Sequence, residues 1–190
     1  MTPVDVAAEV AVLGRDPLAV TEFESAQRAS GAPRITLAGT FLLPSERPTV
    51  RPFVEVRVGG WHAEYDTTLA YDATVLHFDG DLGFRLLPFA PVQKEGVWAP
   101  RPFVDFTLGA RAWQLLQPWW NDEFLFGSAV GAAAGVTVGD SRRNLVVRVR
   151  YEAAVAPAVS GVLDSALSDL EWTVDPAGGR LGVAVGFGWR

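Results

Sequence analysis

Large apolar residues alternate with small or polar residues along most of this chain. The pattern is clearest in residues 180–189, where one face carries Leu181, Val183, Val185, Phe187 and Trp189. The intervening positions are one arginine, one alanine and three glycines. Because successive side chains of a strand point to opposite faces, this segment predicts a strand with one apolar face and one nearly bare face.

Eight segments show this two-residue period, and each is predicted to be a strand. They are residues 4–15, 34–43, 51–65, 73–87, 102–115, 125–138, 145–155 and 180–189. Each is long enough to cross a bilayer as a tilted strand, which takes about 9–11 residues. Residues 4–13 also fit an amphipathic helix, and Gly59-Gly60 predicts a bulge or kink inside the third strand.

The connections between these strands alternate in length. Residues 16–33 and 156–179 are long, whereas 44–48 and 139–143 are short. Outer-membrane barrels alternate short periplasmic turns with long external loops, so both chain ends are predicted to be periplasmic. The connections 66–72 and 88–101 depart from this alternation.

Short helices are predicted inside the two long connections. Asp16-Pro17 is a typical helix start, since aspartate caps the first turn and proline fits its first position. In the second connection Val159, Leu163, Leu167 and Leu170 recur at helical spacing.

Charged residues lie on the face opposite the apolar one, and acids and arginines are nearly balanced. An eight-stranded barrel has an interior just wide enough for side chains to fill. Charges enclosed there must pair, and bidentate arginine–carboxylate bonds are the natural solution. The glycines of the last strand are then predicted to leave room for arginines. The predicted lumen network, with His77 as a lumen partner, is Asp5, Glu9, Arg34, Glu55, Arg57, His77, Asp79, Asp81, Arg85, Asp105, Arg111, Arg148, Arg150, Glu152 and Arg180.

Aromatic residues concentrate near the predicted strand ends, which is typical of interfacial girdles in membrane barrels. Trp61, Tyr65, Trp113, Trp119, Trp120 and Trp172 are predicted on the long-loop side, and Phe41, Phe89, Trp98, Phe103 and Trp189 on the other.

Composition narrows the possible functions. A net charge of −6 argues against nucleic-acid binding, and the absence of cysteine excludes disulfides and zinc–thiolate sites. The 190 residues are predicted to form one domain. No apolar run reaches the ~18 residues of a transmembrane helix. Asp5 and Glu9 precede any arginine, unlike in a signal peptide, so an exported form is expected to have lost its signal.

The strand count, the two-residue period and the loop alternation together resemble the small eight-stranded outer-membrane barrels, the group of the OmpA transmembrane domain, OmpX and OmpW. The resemblance covers the whole chain, although Arg190 follows the terminal aromatic Trp189. It implies an all-β, antiparallel, up-and-down transmembrane barrel with a polar lumen and an apolar exterior. It further implies a monomer in the outer membrane, in contact with bilayer and lipopolysaccharide. Protein partners would bind through residues 16–33 and 156–179, and no cofactor is expected.

The favoured function is therefore a non-enzymatic structural or interaction role with a salt-bridged, plugged lumen. Three alternatives remain: a small channel or hydrophobic-solute conduit, a lipid-modifying enzyme, and a soluble lipocalin-like barrel with an apolar interior. Catalysis has little support, because the only histidines are His62 and His77 and Ser128 falls on the apolar face. No spacing typical of metal ligands, phosphate loops or catalytic nucleophiles is present.

Overall fold

In the computed structural model the chain forms a closed eight-stranded barrel and a separate four-stranded sheet. The described residues are 4–14, 18–22, 25–28, 34–47, 49–64, 72–88, 98–116, 123–140, 142–164, 169–175 and 177–189. The strands are β1 (Val4–Gly14), β2 (Leu18–Glu22), β3 (Ser25–Arg28), β4 (Ile35–Leu42), β5 (Val50–Glu64), β6 (Asp72–Leu86), β7 (Ala99–Leu116), β8 (Glu123–Gly139), β9 (Arg143–Val155), β10 (Val159–Asp164), β11 (Asp169–Val174) and β12 (Gly178–Trp189).

The barrel strands follow one another around the ring in the order β1-β12-β9-β8-β7-β6-β5-β4, all antiparallel. The ring closes because β1 pairs with β12 on one side and with β4 on the other. All eight predicted strands are confirmed, and residues 4–13 are strand rather than helix. The chain ends and the β4–β5, β6–β7 and β8–β9 connections share one end of the barrel, here called the short-turn end; the opposite end is the loop end.

The two long connections contain strands, so the helix predicted in residues 156–179 is wrong. Val159 and Leu163 lie in β10, and Leu170 lies in β11. Residues four apart share a face in a strand as well as in a helix, so the spacing did not discriminate between them. Pairing decided the outcome, because β10 and β11 continue the hairpin of β9 and β12 beyond the barrel. Asp16, Pro17 and Leu167 lie outside the described residues. Leu18–Glu22, which directly follow the helix start predicted at Asp16-Pro17, form β2, so that helix prediction is wrong as well.

This extension carries two further strands. β2 pairs with β11 and β3 pairs with β2, which gives a four-stranded sheet in the order β10-β11-β2-β3 at the loop end. Within the described ranges, no helix has the length and hydropathy needed to cross a membrane.

Of the bulge or kink predicted at Gly59-Gly60, the bulge is absent. Gly59 pairs in unbroken register with Thr36 on one side and His77 on the other. The glycine serves close approach instead, because a Cβ atom there would overlap the Ile35 carbonyl oxygen and lie 2.7 Å from His77 Nε2. The register shift in the β1–β12 pair lies between Ala11 and Leu13 of β1.

The two faces of the barrel differ as predicted, with an apolar exterior and a polar lumen. Outward side chains form a belt of large apolar groups, among them Leu82, Leu108 and Phe126, each more than 60% exposed. Inward side chains along the middle of the barrel are charged and buried, including Glu55, Arg57 and others described below.

Candidate functional site

The inward faces of β8 and β12 are lined by small residues, and this leaves space for long side chains from the other strands. A Cβ atom on Gly182 of β12 would lie 2.7 Å from Glu9 Oε1, and one on Gly109 of β7 would overlap Asp81 Oδ1. The glycines of the last strand were predicted to make room for arginines. The atoms nearest to a Cβ at these positions belong to Glu9 at Gly182, to the β1 residues Val6 and Ala7 at Gly186, and to Asp5 and Asn144 at Gly188.

A network of charged side chains crosses the middle of the lumen; we call it the central cluster. Its members are Glu9, Glu55, Arg57, Asp79, Asp81, Arg111, Arg148, Arg150, Glu152 and Arg180.

The central cluster spans the full width of the barrel. β5 and β9 lie halfway around the ring from each other. Arg148 of β9 nevertheless donates a 2.5 Å hydrogen bond from Nη1 to Oε2 of Glu55 on β5, and Arg150 donates to the same carboxylate. In the opposite direction Arg57 of β5 donates to Glu152 of β9. Side chains from opposite walls therefore meet and fill the lumen at this level.

The strands β6 and β7 complete the central cluster. Asp81 of β6 accepts hydrogen bonds from Arg111 at 2.7 Å and from Arg150 at 2.8 Å. Glu55 and Asp81 are directly opposite on paired strands, an arrangement of like charges that is destabilising by itself. Because Arg150 bonds to both carboxylates, its guanidinium offsets that repulsion.

The edge of the central cluster is less tightly bonded. Arg180 donates to Glu152 at 3.0 Å and its side chain is 16% exposed. Glu9 approaches Arg148 at 3.8 Å and Arg57 at 4.0 Å, distances of ion pairs rather than hydrogen bonds.

A second group of charges lies nearer the short-turn end; we call it the Arg85 clamp. Arg85 donates two hydrogen bonds to Asp105, at 2.9 and 3.0 Å, and one to Asp5 at 2.8 Å. Its guanidinium also lies 4.1 Å from the ring centre of Phe103 and 5.9 Å from that of Phe53. Both the bidentate bond and the aromatic contact need the planar group of arginine.

Two further arginines lie near the lumen. Arg34, which was predicted in the network, is half-buried, with its guanidinium 4.4 Å from the ring centre of Trp61. Arg101 was not predicted, yet it is buried in the lumen. The available signal was its position, since residues 101, 103 and 105 share one face of β7. Among the described residues the central cluster, the Arg85 clamp and Arg101 then contain seven carboxylates and seven guanidinium groups.

At the loop end, the lumen is filled by apolar side chains instead of charged ones. Aromatic and aliphatic side chains from β5 to β8 pack there against two side chains of β11; we call this group the apolar cap. It consists of Trp61, Ala73, Val75, Trp113, Leu115, Leu125, Trp172 and Val174. Trp172 crosses Gly161 of β10, where a Cβ atom would collide with the indole ring.

The apolar cap corrects the prediction of an aromatic girdle at the loop end. Trp61, Trp113 and Trp172 are buried in the cap, and Phe103 is buried in the Arg85 clamp. Phe41, Trp98 and Trp189 are exposed at the short-turn end. Tyr65, Phe89, Trp119 and Trp120 lie outside the described residues.

His77 lies between Thr36 and Asp79. Its Nε2 is 3.1 Å from Thr36 Oγ1 and its Nδ1 is 3.3 Å from Asp79 Oδ2. Hydroxyl, imidazole and carboxylate occur in this order in nucleophilic triads. Here, however, His77 and Thr36 are buried and Asp79 is also bonded to Arg57 at 3.1 Å. The trio is therefore a hydrogen-bond chain enclosed in the lumen. Across the described residues, no group of three histidine or acidic side chains could hold a metal ion.

The same fold occurs in known outer-membrane proteins. The outer membrane protein OprG of Pseudomonas aeruginosa is 12% identical, with a TM-score of 0.60 over 99% of this chain and 94% of its own. The Neisserial surface protein NspA is 10% identical, with a TM-score of 0.50 over 97% of this chain and 95% of its own. No protein-family model and no curated protein matches the sequence. The fold is therefore that of the small eight-stranded outer-membrane barrels.

Proposed function

We propose that this chain is an integral outer-membrane barrel with a closed lumen and a non-enzymatic, structural or interaction role. The observation that carries this proposal is a set of side-chain ion pairs that join β5 to β9 across the lumen. Arg148 pairs with Glu55, and Arg57 pairs with Glu152. These side chains are at most 5% exposed. A solute following the barrel axis would have to break several buried ion pairs.

The apolar belt supports residence in a bilayer. Side chains such as Leu82, Leu108 and Phe126 gain free energy when they leave water, at roughly 25 cal/mol per Å² of apolar area. A contiguous belt of this kind exceeds the apolar patches of soluble monomers. A lipocalin-like barrel would reverse the two faces, with charges outside and apolar groups inside.

Membrane insertion is tested by folding the purified chain into detergent micelles and comparing heated with unheated samples on SDS gels. We expect the unheated sample to migrate differently, because a closed membrane barrel resists SDS until it is boiled. A chain that instead folds to a stable monomer in buffer without detergent would overturn the membrane assignment.

The closed lumen is tested by conductance in planar bilayers, with protein-free detergent as the control. We expect no steady single-channel openings. Steady openings would favour the small channel or hydrophobic-solute conduit instead, and the closed-lumen proposal would then be wrong.

The absence of catalysis is tested on lipid A. Mass spectrometry of lipid A from cells with and without the protein should give the same spectrum. A mass shift that disappears in the His77→Ala variant would show that the Thr36–His77–Asp79 chain is catalytic.

Any partner is proposed to bind at the loop end, where β2, β3, β10 and β11 form the four-stranded sheet. Trp172 and Val174 pack β11 of this sheet into the apolar cap, so the sheet is anchored to the barrel.

We further propose that the protein contacts lipopolysaccharide and is a monomer. Light scattering of the protein–detergent complex tests the monomeric state.

A further inference from the structure

A groove of about 500 Å³ lies on the outer surface at the short-turn end. It is lined by Trp98, Arg143, Asn144, Phe187, Gly188 and Trp189. Trp98 directly precedes β7, Arg143 begins β9, and Phe187 and Trp189 end β12. The three aromatic side chains are 52–66% exposed, so they form open walls rather than a packed core.

The groove lies where the apolar belt ends. From Val155 down to Leu145 the outward residues of β9 are aliphatic except for the aromatic Tyr151, and the next outward residue is Arg143. Twelve residues at about 3.3 Å each give about 40 Å of strand. At the usual tilt of a membrane barrel strand this is about 30 Å along the barrel axis, the thickness of a hydrocarbon layer. Arg143 is thus at the level of the lipid headgroups.

The turn before β9 positions Arg143 without neutralising it. Asp140 Oδ1 accepts a 2.9 Å hydrogen bond from the backbone nitrogen of Arg143, and the Arg143 carbonyl accepts one of 2.9 Å from the Asp140 nitrogen. The Arg143 side chain is exposed and makes no ion pair within the described part of the chain. The turn therefore fixes the backbone of Arg143, and the residue lines the groove together with three aromatic side chains.

We propose that this groove binds the phosphate of a glycerophospholipid from the leaflet at the short-turn end. The guanidinium of Arg143 donates to the phosphate oxygens, a strong charge-assisted bond. The rings of Trp98, Phe187 and Trp189 cover the glycerol and the first methylene groups, as amphipathic rings do at membrane interfaces. The inference rests on the proposed membrane insertion and adds one specific lipid position to it.

The test is native mass spectrometry of the detergent-folded protein titrated with phosphatidylglycerol. We expect one lipid to be retained more tightly than the rest. Arg143→Gln should weaken this binding about tenfold, equivalent to about 1.4 kcal/mol, and Trp98→Ala should also weaken it. Arg142→Gln is the matched control, because it removes the same charge from the same turn but does not line the groove, and it should change the affinity less than twofold.

Gel migration is recorded for every variant, so that a failure of the lipid site can be distinguished from a failure of the membrane-barrel proposal. Folded protein that retains no lipid, or that loses it equally in Arg143→Gln and Arg142→Gln, would overturn the lipid site and leave the membrane barrel intact. A wild-type chain that shows no heat-modifiable migration would contradict the membrane barrel and the lipid site together.

Discussion

The central cluster and the apolar cap both lie inside the barrel and share the inward faces of β5, β6 and β7, yet their chemistry is opposite. Along β5 the inward positions change from Glu55 and Arg57 through Gly59 to Trp61. In the middle of the barrel, opposite walls lie within reach of long charged side chains, so charges find partners there. At the loop end, Trp172 and Val174 of β11 pack against the inward apolar side chains of β5 to β8. Whether inward side chains are charged or apolar at a given level therefore corresponds to the groups that face them there: charged side chains of the opposite wall, or apolar side chains of β11.

The two regions also differ in what the loss of one side chain leaves behind. Removing a member of the central cluster leaves a buried charge without its partner, which costs more than a cavity of the same size. Removing a member of the cap leaves a cavity that neighbouring groups or water can partly fill. The four variants below test this difference, from the largest expected effect to the smallest.

Glu55→Gln should be the most destabilising single change. Its carboxylate is fully buried and bonded to Arg148 and Arg150, and the amide would leave both guanidinium groups under-compensated. We expect the free energy of unfolding, measured by urea titration in lipid vesicles, to fall by about 3–5 kcal/mol. Glu46→Gln on the exposed β4–β5 connection is the control and should change it by less than about 0.5 kcal/mol. Equal effects of the two variants would contradict the importance of the cross-lumen pairs.

Trp172→Ala should cost about 3 kcal/mol by removing a large buried ring from the cap. We expect the loss to be concentrated at the loop end, so that amide hydrogen exchange becomes faster in β10 and β11 and stays slow in β5 and β9. Glu171→Ala, an exposed neighbour in the same strand, is the control. Faster exchange throughout the barrel would show that the cap and the central cluster are one cooperative unit.

Gly109→Ala should cost about 1–3 kcal/mol, because the new methyl group would overlap Asp81 in the crowded central cluster. Gly80→Ala is a matched control on the neighbouring strand. A Cβ atom at position 80 has no other atom within 4 Å, so this change should be neutral or stabilise by up to about 1 kcal/mol. The same urea titration measures both, and the proposed crowding is wrong if the two variants behave alike.

His77→Gln should have the smallest effect, about 1 kcal/mol, which is typical of one rearranged buried hydrogen bond. His77 connects Thr36 to Asp79 between the central cluster and the cap. His62→Gln is the control, since His62 is exposed and its contact with Thr74 is at the surface. A loss above about 3 kcal/mol would contradict the view that His77 contributes only one rearranged buried hydrogen bond.

Sequence periodicity predicted the barrel well because a strand's alternation is a local property. The eight strands and their two faces follow from this alternation, which places residues such as Asp79 and Arg111 on the charged face. The closed antiparallel barrel and the inward direction of the charged face were predicted from the loop lengths and the resemblance to small outer-membrane barrels. Arg101 shares the face of Asp105, but the fifth strand was predicted to begin only at residue 102. The helix prediction at Val159 and Leu163 failed because a spacing of four is compatible with both a helix and a strand.

Partner choice needed the tertiary structure. Parity places Arg148 inside the barrel, but only ring closure brings it to Glu55, 93 residues away in sequence. The same holds for Trp61 and Trp113, whose position near strand ends fits a membrane girdle as well as an internal cap. Strand alternation decides which face of the strand each indole ring is on. Its burial inside the lumen depends in addition on β11, which packs against it.

The sequence by itself therefore determined the eight barrel strands, their two faces and the near balance of charge on one of them. The tertiary structure decided which charges meet, where the lumen turns apolar and which strands extend beyond the barrel. The physical reason is range: side-chain alternation is encoded between neighbouring residues, whereas buried ion pairs and packed rings depend on segments brought together by ring closure.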